Sequence, residues 1–155
     1  MICGKICCGK TTYAKPLLKS EKAVLLSCDE ISLTLFEEGL GEKHDMVMEK
    51  IKEYLYTKSL EIIEAGTSVV LDWGFWSKAD RERTKEFYRQ NGIDCELHYI
   101  DISDSQWLKN TEKRNKDVAE KKTSAYFVDE GLIQKVNKIF EAPTENEIDV
   151  LFNYR

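Results

Sequence analysis

Eight consecutive residues near the start, Gly4-Lys5-Ile6-Cys7-Cys8-Gly9-Lys10-Thr11, satisfy G-x-x-x-x-G-K-S/T without a mismatch. The chemistry of that pattern is anion binding. Glycines permit backbone angles that turn successive N–H groups inward, and a nest of amides at a helix N-terminus attracts phosphate. Lys10 is placed to reach β and γ phosphates, and the Thr11 hydroxyl to ligate Mg2+. Lys5, Ile6, Cys7, Cys8 and Thr12 complete the stretch expected to line the phosphates, with Cys8 where a small residue is needed beside the nest. The alternative, a glycine turn carrying a surface lysine, leaves unexplained both the spacing and the hydroxyl after Lys10. ATP or GTP is therefore the expected ligand.

Two acidic residues follow strand-like runs. Asp29 comes after Ala23-Val24-Leu25-Leu26-Ser27-Cys28, at the carboxyl end of a strand, where an open α/β sheet keeps its ligands. A carboxylate there can take the proton of an attacking hydroxyl; the competing role is a helix cap shared with Glu30. Asp72 ends Ser68-Val69-Val70-Leu71, the arrangement in which an acid orients Mg2+ directly or through water; its competing role is to cap the next turn. Trp73, Phe75 and Trp76 around Gly74 offer aromatic walls for an acceptor, although aromatic residues more often serve as core. Arg81, on the helix that follows, is the one arginine of Arg81, Arg83 and Arg89 near enough to that strand end for substrate contact, while a solvated helix face is the favoured account for all three. Arg114, placed at the end of a helix over Ser105 to Lys113, is positioned to swing over a transferring phosphoryl group, or else simply complements the helix dipole. His44 and His98 have no acid or serine at a telling spacing, which gives a hydrolase triad no support.

These residues need a scaffold of strand ends and helix starts. Short β-prone runs at Met1 to Cys3, Ala23 to Cys28, Thr67 to Asp72, Cys95 to Asp101 and Glu147 to Leu151 alternate with longer segments of helical period. This is the pattern of a parallel sheet joined by crossover helices. One helix is expected from about His44 to Ala65, with Val47, Ile51, Leu55, Ile62 and Ile63 along a stripe. Another starts at Ser77 and stops before Gly92, Asp104 caps a third, and Leu132 to Phe140 gives the last before Pro143. Asn115 to Ser124, polar and lysine-bearing, reads as a mobile loop. Only three residues precede Gly4, so either the first strand is short or the chain has been trimmed ahead of it.

With 155 residues, 42% hydrophobic, one domain spanning 1–155 is expected, with a lid around 115–127. The formal net charge of -5 supplies no global field for gathering nucleic acid. No apolar run is long enough to span a bilayer, and nothing at the start resembles a secretory leader, so a cytoplasmic location is expected. Five cysteines, Cys3, Cys7, Cys8, Cys28 and Cys95, form an odd set without zinc spacing and read as reduced, small buried residues.

The chain resembles the bacterial AAA-like P-loop kinases related to polynucleotide kinase, chloramphenicol phosphotransferase and zeta toxins. The resemblance is carried by GKICCGKTTYAK, SCDE, VVLDWGFWSKADRER, KRN and AYFVDEGLIQKVNKIFEAPTENE, and it spans nearly the whole sequence. It implies a three-layer P-loop kinase fold: a five-stranded parallel sheet in the order 2-3-1-4-5 with helices on both faces. It implies Lys10 and Thr11 at the phosphates, Asp29 as general base, Arg114 as the lid arginine, and Asp72 near Mg2+ or the acceptor. Relatives often carry Thr or Asn where Gly74 stands here. The expected activity is ATP-dependent, Mg2+-requiring transfer of the γ-phosphoryl group to a hydroxyl of a small molecule. The alternatives are a 5'-hydroxyl polynucleotide kinase, holding nucleic acid with Lys116, Lys121 and Lys122, and a nucleotide-binding switch that transfers nothing.

Overall fold

The computed structural model describes residues 1–36 and 40–154. Among them are strands β1 Ile2–Cys3, β2 Val24–Ser27, β3 Val69–Asp72, β4 His98–Ile102 and β5 Val150–Tyr154. The helices are α1 Lys10–Ser20, α2 Cys28–Leu35, α3 His44–Glu64, α4 Lys78–Gln90, α5 Asp104–Ala119 and α6 Glu130–Ile139. The chain divides into two compact units, one of Thr11–Trp73 and one of Met1–Lys10 with Gly74–Arg155.

In the Thr11–Trp73 unit, β2 and β3 lie parallel, with Val24 opposite Val69 and Ser27 opposite Asp72. Parallel neighbours need a long crossover, here α2 and α3. Helix α3 buries Ile51, Leu55 and Ser59, every fourth residue, on one stripe. Gly66, at φ +83°, closes it. Helix α2 starts directly after β2 because the Ser27 hydroxyl accepts a hydrogen bond from the Glu30 amide as N-cap.

In the other unit, β4 lies between β1 and β5, all parallel: Ile2 pairs with His98 and Cys3 with Tyr99, while β5 pairs along β4 from His98–Val150 to Ile102–Tyr154. Ile2, Cys3, Leu97 and Ile100 are buried there. Ser77 caps α4 by accepting from the Asp80 amide, as its spacing suggests. Ser103, rather than Asp104, caps α5 by accepting from the Gln106 amide, since the cap residue must lie outside the helical turn and Asp104 is already its first member.

Two expectations about architecture need correction. The strands form a three-stranded sheet, β1-β4-β5, and a two-stranded sheet, β2-β3, instead of one five-stranded sheet in the order 2-3-1-4-5. The neighbours 2-3, 1-4 and 4-5 of that order all occur; β1 is only two residues long and both pair with β4. Second, α5 does not end at Lys113 but continues to Ala119, so Arg114 lies within the helix and the loop is shorter than expected. Asn115 holds the added turn: its side-chain amide donates to the Val128 carbonyl at 2.9 Å and its oxygen accepts from the Val128 amide at 2.8 Å.

Candidate phosphate-binding and active site

Residues 4–9 form the loop between β1 and α1. Gly9 sits at φ +98°, open to glycine and strained for other residues, and Cys7 occupies the left-handed region at φ +60°. Gly4 is required for space: a Cβ there would stand 2.8 Å from the Ile100 carbonyl oxygen and would also collide with the Cys8 sulfur. The carbonyls of Gly4, Lys5, Ile6 and Cys7 are engaged. Lys10 Nζ donates to Gly4 O at 3.2 Å and Lys5 O at 3.0 Å, and the Cys8 amide donates to Lys5 O at 3.2 Å. Trp76 Nε1 also donates to Gly4 O, at 3.2 Å. From α5, Trp107 Nε1 donates to Ile6 O at 2.8 Å and Asn110 Nδ2 to Cys7 O at 2.9 Å. The Arg114 guanidinium lies 3.7 Å from Cys7 Sγ and donates through Nε to Tyr126 O at 3.0 Å. Among the described residues Lys5 makes a long, exposed pair with Asp104, at 3.9 Å, of a kind worth little energy.

In the Thr11–Trp73 unit, the Thr11 hydroxyl donates to Asp72 Oδ2 at 3.2 Å. Asp72 is 8% exposed at the end of β3. A hydroxyl and a carboxylate are the hard oxygen donors Mg2+ takes, and Mg2+ normally completes its shell with phosphate and water, so this pair fits the ion. No cluster of three or more His, Cys, Asp or Glu suited to a metal occurs among the described residues. Asp29 is exposed in the first turn of α2, where Ser27 already serves as cap, so capping does not account for it. Burial pushes the Cys28 thiol up to about 12, and Lys52, Asp29, Glu49 and Asp72 all bear on it electrostatically. Both candidate acids thus belong to the neighbourhood at the carboxyl ends of β2 and β3. Lys52 pairs with Glu49 at 2.7 Å. Thr12 is exposed on the first turn of α1.

The acceptor-pocket residues come apart. Arg81, expected to touch substrate, is 2% exposed and cannot. Its guanidinium pairs with Glu147 at 2.9 Å and donates to Glu141 O at 2.8 Å and Phe75 O at 3.2 Å. Phe75, 1% exposed, is core. Trp76 packs against the Ile6, Val128 and Val136 cluster while bonding the phosphate loop, so it is a buttress rather than a pocket wall. Trp73 remains half-buried, edge-on to Tyr56 with ring centroids 5.5 Å apart. None of the five cysteines is in a disulfide among the described residues, and the Cys3 thiol is pushed up to about 11 by burial. Trp107 and Asn110 escaped the sequence reading. Their signal was the spacing of three residues from Trp107 to Asn110 and four from Asn110 to Arg114, which puts all three on one face of a helix.

A family profile described as an AAA domain matches residues 1–143. No curated protein matches the chain. Among solved structures, a candidate kinase from Chloroflexus aurantiacus aligns with a TM-score of 0.72 at 18% identity, over 98% of this chain and 84% of that one. The APS kinase CysC of Mycobacterium tuberculosis, in complex with AMPPNP and APS, aligns at 0.64 with 17% identity, over 98% of this chain and 85% of that one. A chain of the Pnkp1/Rnl/Hen1 RNA repair complex aligns at 0.70 with 20% identity, over 89% of this chain and 42% of that one. At these identities the likeness is one of fold, that of the P-loop kinases.

Proposed function

The chain belongs to the AAA domain family, and from that premise we propose that it is an ATP-dependent kinase transferring the γ-phosphoryl group to a hydroxyl of a small molecule. The observation that carries this reading is the set of loop carbonyls held by Lys10, Trp76, Trp107 and Asn110. A loop whose oxygens are engaged in this way leaves for an anion those amides it does not spend internally, as it spends the Cys8 amide on Lys5 O. Thr11 and Asp72 would hold Mg2+, which supplies charge neutralisation of the phosphates. Asp29 accepts the proton of the acceptor hydroxyl as its oxygen bonds to the γ phosphorus and the bond to the β-phosphate oxygen breaks, releasing ADP. Arg114 supplies positive charge to the transferring group. An APS kinase complex with AMPPNP among the structural neighbours supports the choice of nucleotide. Incubation with ATP, Mg2+ and a metabolite pool should yield a new phosphomonoester; ADP and inorganic phosphate alone would reduce the protein to a hydrolase or switch.

The likeness to a chain of an RNA repair complex favours one second reading, a 5'-hydroxyl polynucleotide kinase. Lys122 is drawn toward Glu120 at 2.5 Å, which removes part of the basic character that reading uses. Oligonucleotide affinity that falls steeply with salt would support it, and absent or salt-insensitive binding would end it.

A further inference from the structure

We propose that Trp107 and Asn110 are positioning residues of the phosphate site: from behind the loop, α5 grips its carbonyls and thereby aims its amides. The inference rests on the nucleotide-binding reading above. A trans peptide is planar, and its C=O and following N–H point in opposite directions. With Ile6 O held by the Trp107 indole at 2.8 Å, the Cys7 N–H is turned away from α5. With Cys7 O held by Asn110 at 2.9 Å, the peptide on the other side of Cys7 is fixed as well. Those two peptides flank the one non-glycine of the loop at positive φ, Cys7 at +60°. A residue kept in that region persists only where its surroundings over-determine it. The two α5 donors provide that constraint, together with the Cys8 amide's bond to Lys5 O at 3.2 Å, and without them rotation of the Ile6–Cys7 peptide would relieve the strain and present the Ile6 carbonyl where the Cys7 amide now faces.

The same helix face carries Arg114, seven residues after Trp107, against Cys7 Sγ at 3.7 Å. One rigid element therefore sets both the nest and the origin of the arginine over it. The Trp107 ring is also packed against the Ile6, Val128 and Val136 cluster, so Trp107→Phe removes the N–H donor while keeping an aromatic ring in place. Asn110→Ala removes the second donor independently.

The probes are ATP and inorganic tripolyphosphate, each with Mg2+, titrated calorimetrically into the wild type, Trp107→Phe and Asn110→Ala, with thermal melts confirming that the variants fold. The expected result is a loss of about tenfold in affinity per variant, equivalent to about 1.4 kcal/mol, and by the same factor for both ligands because the polyphosphate is their common part. Unchanged affinity in either folded variant overturns that residue's role. A loss confined to ATP also overturns the inference, because α5 would then be reading the nucleoside. Should the wild type bind neither ligand, the nucleotide reading itself falls and takes this inference with it.

Discussion

Gly74 stands at φ +93° beside Phe75 at +49°, and a Cβ built on it would come within 2.9 Å of two atoms of the Trp76 indole. The absence of a side chain is what lets Trp76 lie against the turn and donate to Gly4 O. Gly74→Ala combines backbone strain with displacement of that ring, so it should cost about 1–3 kcal/mol in denaturant unfolding, with ATP affinity falling alongside. A stability change within a few tenths of a kcal/mol would show that the indole yields freely. Asp29 is the contrasting case, since it is exposed and leaves the cap to Ser27. Asp29→Asn should keep ATP affinity and lower turnover about a hundredfold or more, the usual contribution of general acid–base catalysis; an unchanged rate removes it as base. The phosphate motif was legible because its spacing is fixed by local backbone geometry. Arg81 was misread because charge and position resemble those of a substrate arginine until tertiary contacts reveal that every direction of its guanidinium is filled from Phe75, Glu141 and Glu147.

At the scale of elements, α4 is tied to the segment that precedes β5. Lys78 N donates to Glu141 Oε2 at 2.6 Å, Glu141 N to Trp76 O at 2.8 Å, and Arg81 bridges Glu141 and Glu147. The hydrogen bond from Arg81 holds the Glu147 carboxyl down at about 2, against an ordinary 4.5. A folded-state value below the unfolded one adds stability above pH 4.5 that is lost as pH falls toward 2, here about 3 kcal/mol at neutral pH. Glu147→Gln should therefore be destabilised by about that much at pH 7 and converge on the wild type by pH 2, followed by urea melts across that range. A constant difference at every pH would mean that the carboxylate charge is not what the variant loses. All five strands were readable from β-prone runs with shifted ends, and α4 from its Ser77 cap. The end of α5 was not, because its last turn has no apolar period and is held by Asn115 reaching Val128, a contact across a chain reversal that periodicity does not encode. The sheet order was likewise hidden, since a strand of two residues gives no signal for which neighbour it will take.

For the molecule as a whole, ligand binding to the native state alone must raise stability by mass action. At a hundred times its dissociation constant, ATP with Mg2+ contributes about 2.7 kcal/mol. A chain of 155 residues gains about 2–4 °C in melting temperature per kcal/mol, which gives an expected rise of about 5–10 °C. Lys10→Ala removes the ammonium that the loop holds at Gly4 O and Lys5 O, so this variant should fold yet show no rise. Omitting Mg2+ should reduce the rise in the wild type, since Thr11 and Asp72 are the oxygen donors placed for that ion. GTP run beside ATP reports the base preference, because the phosphate loop treats the two alike and any difference arises from the nucleoside. A wild-type melt indifferent to ATP, to GTP and to Mg2+ at millimolar concentration would leave the phosphate loop without a ligand and the kinase reading without its foundation.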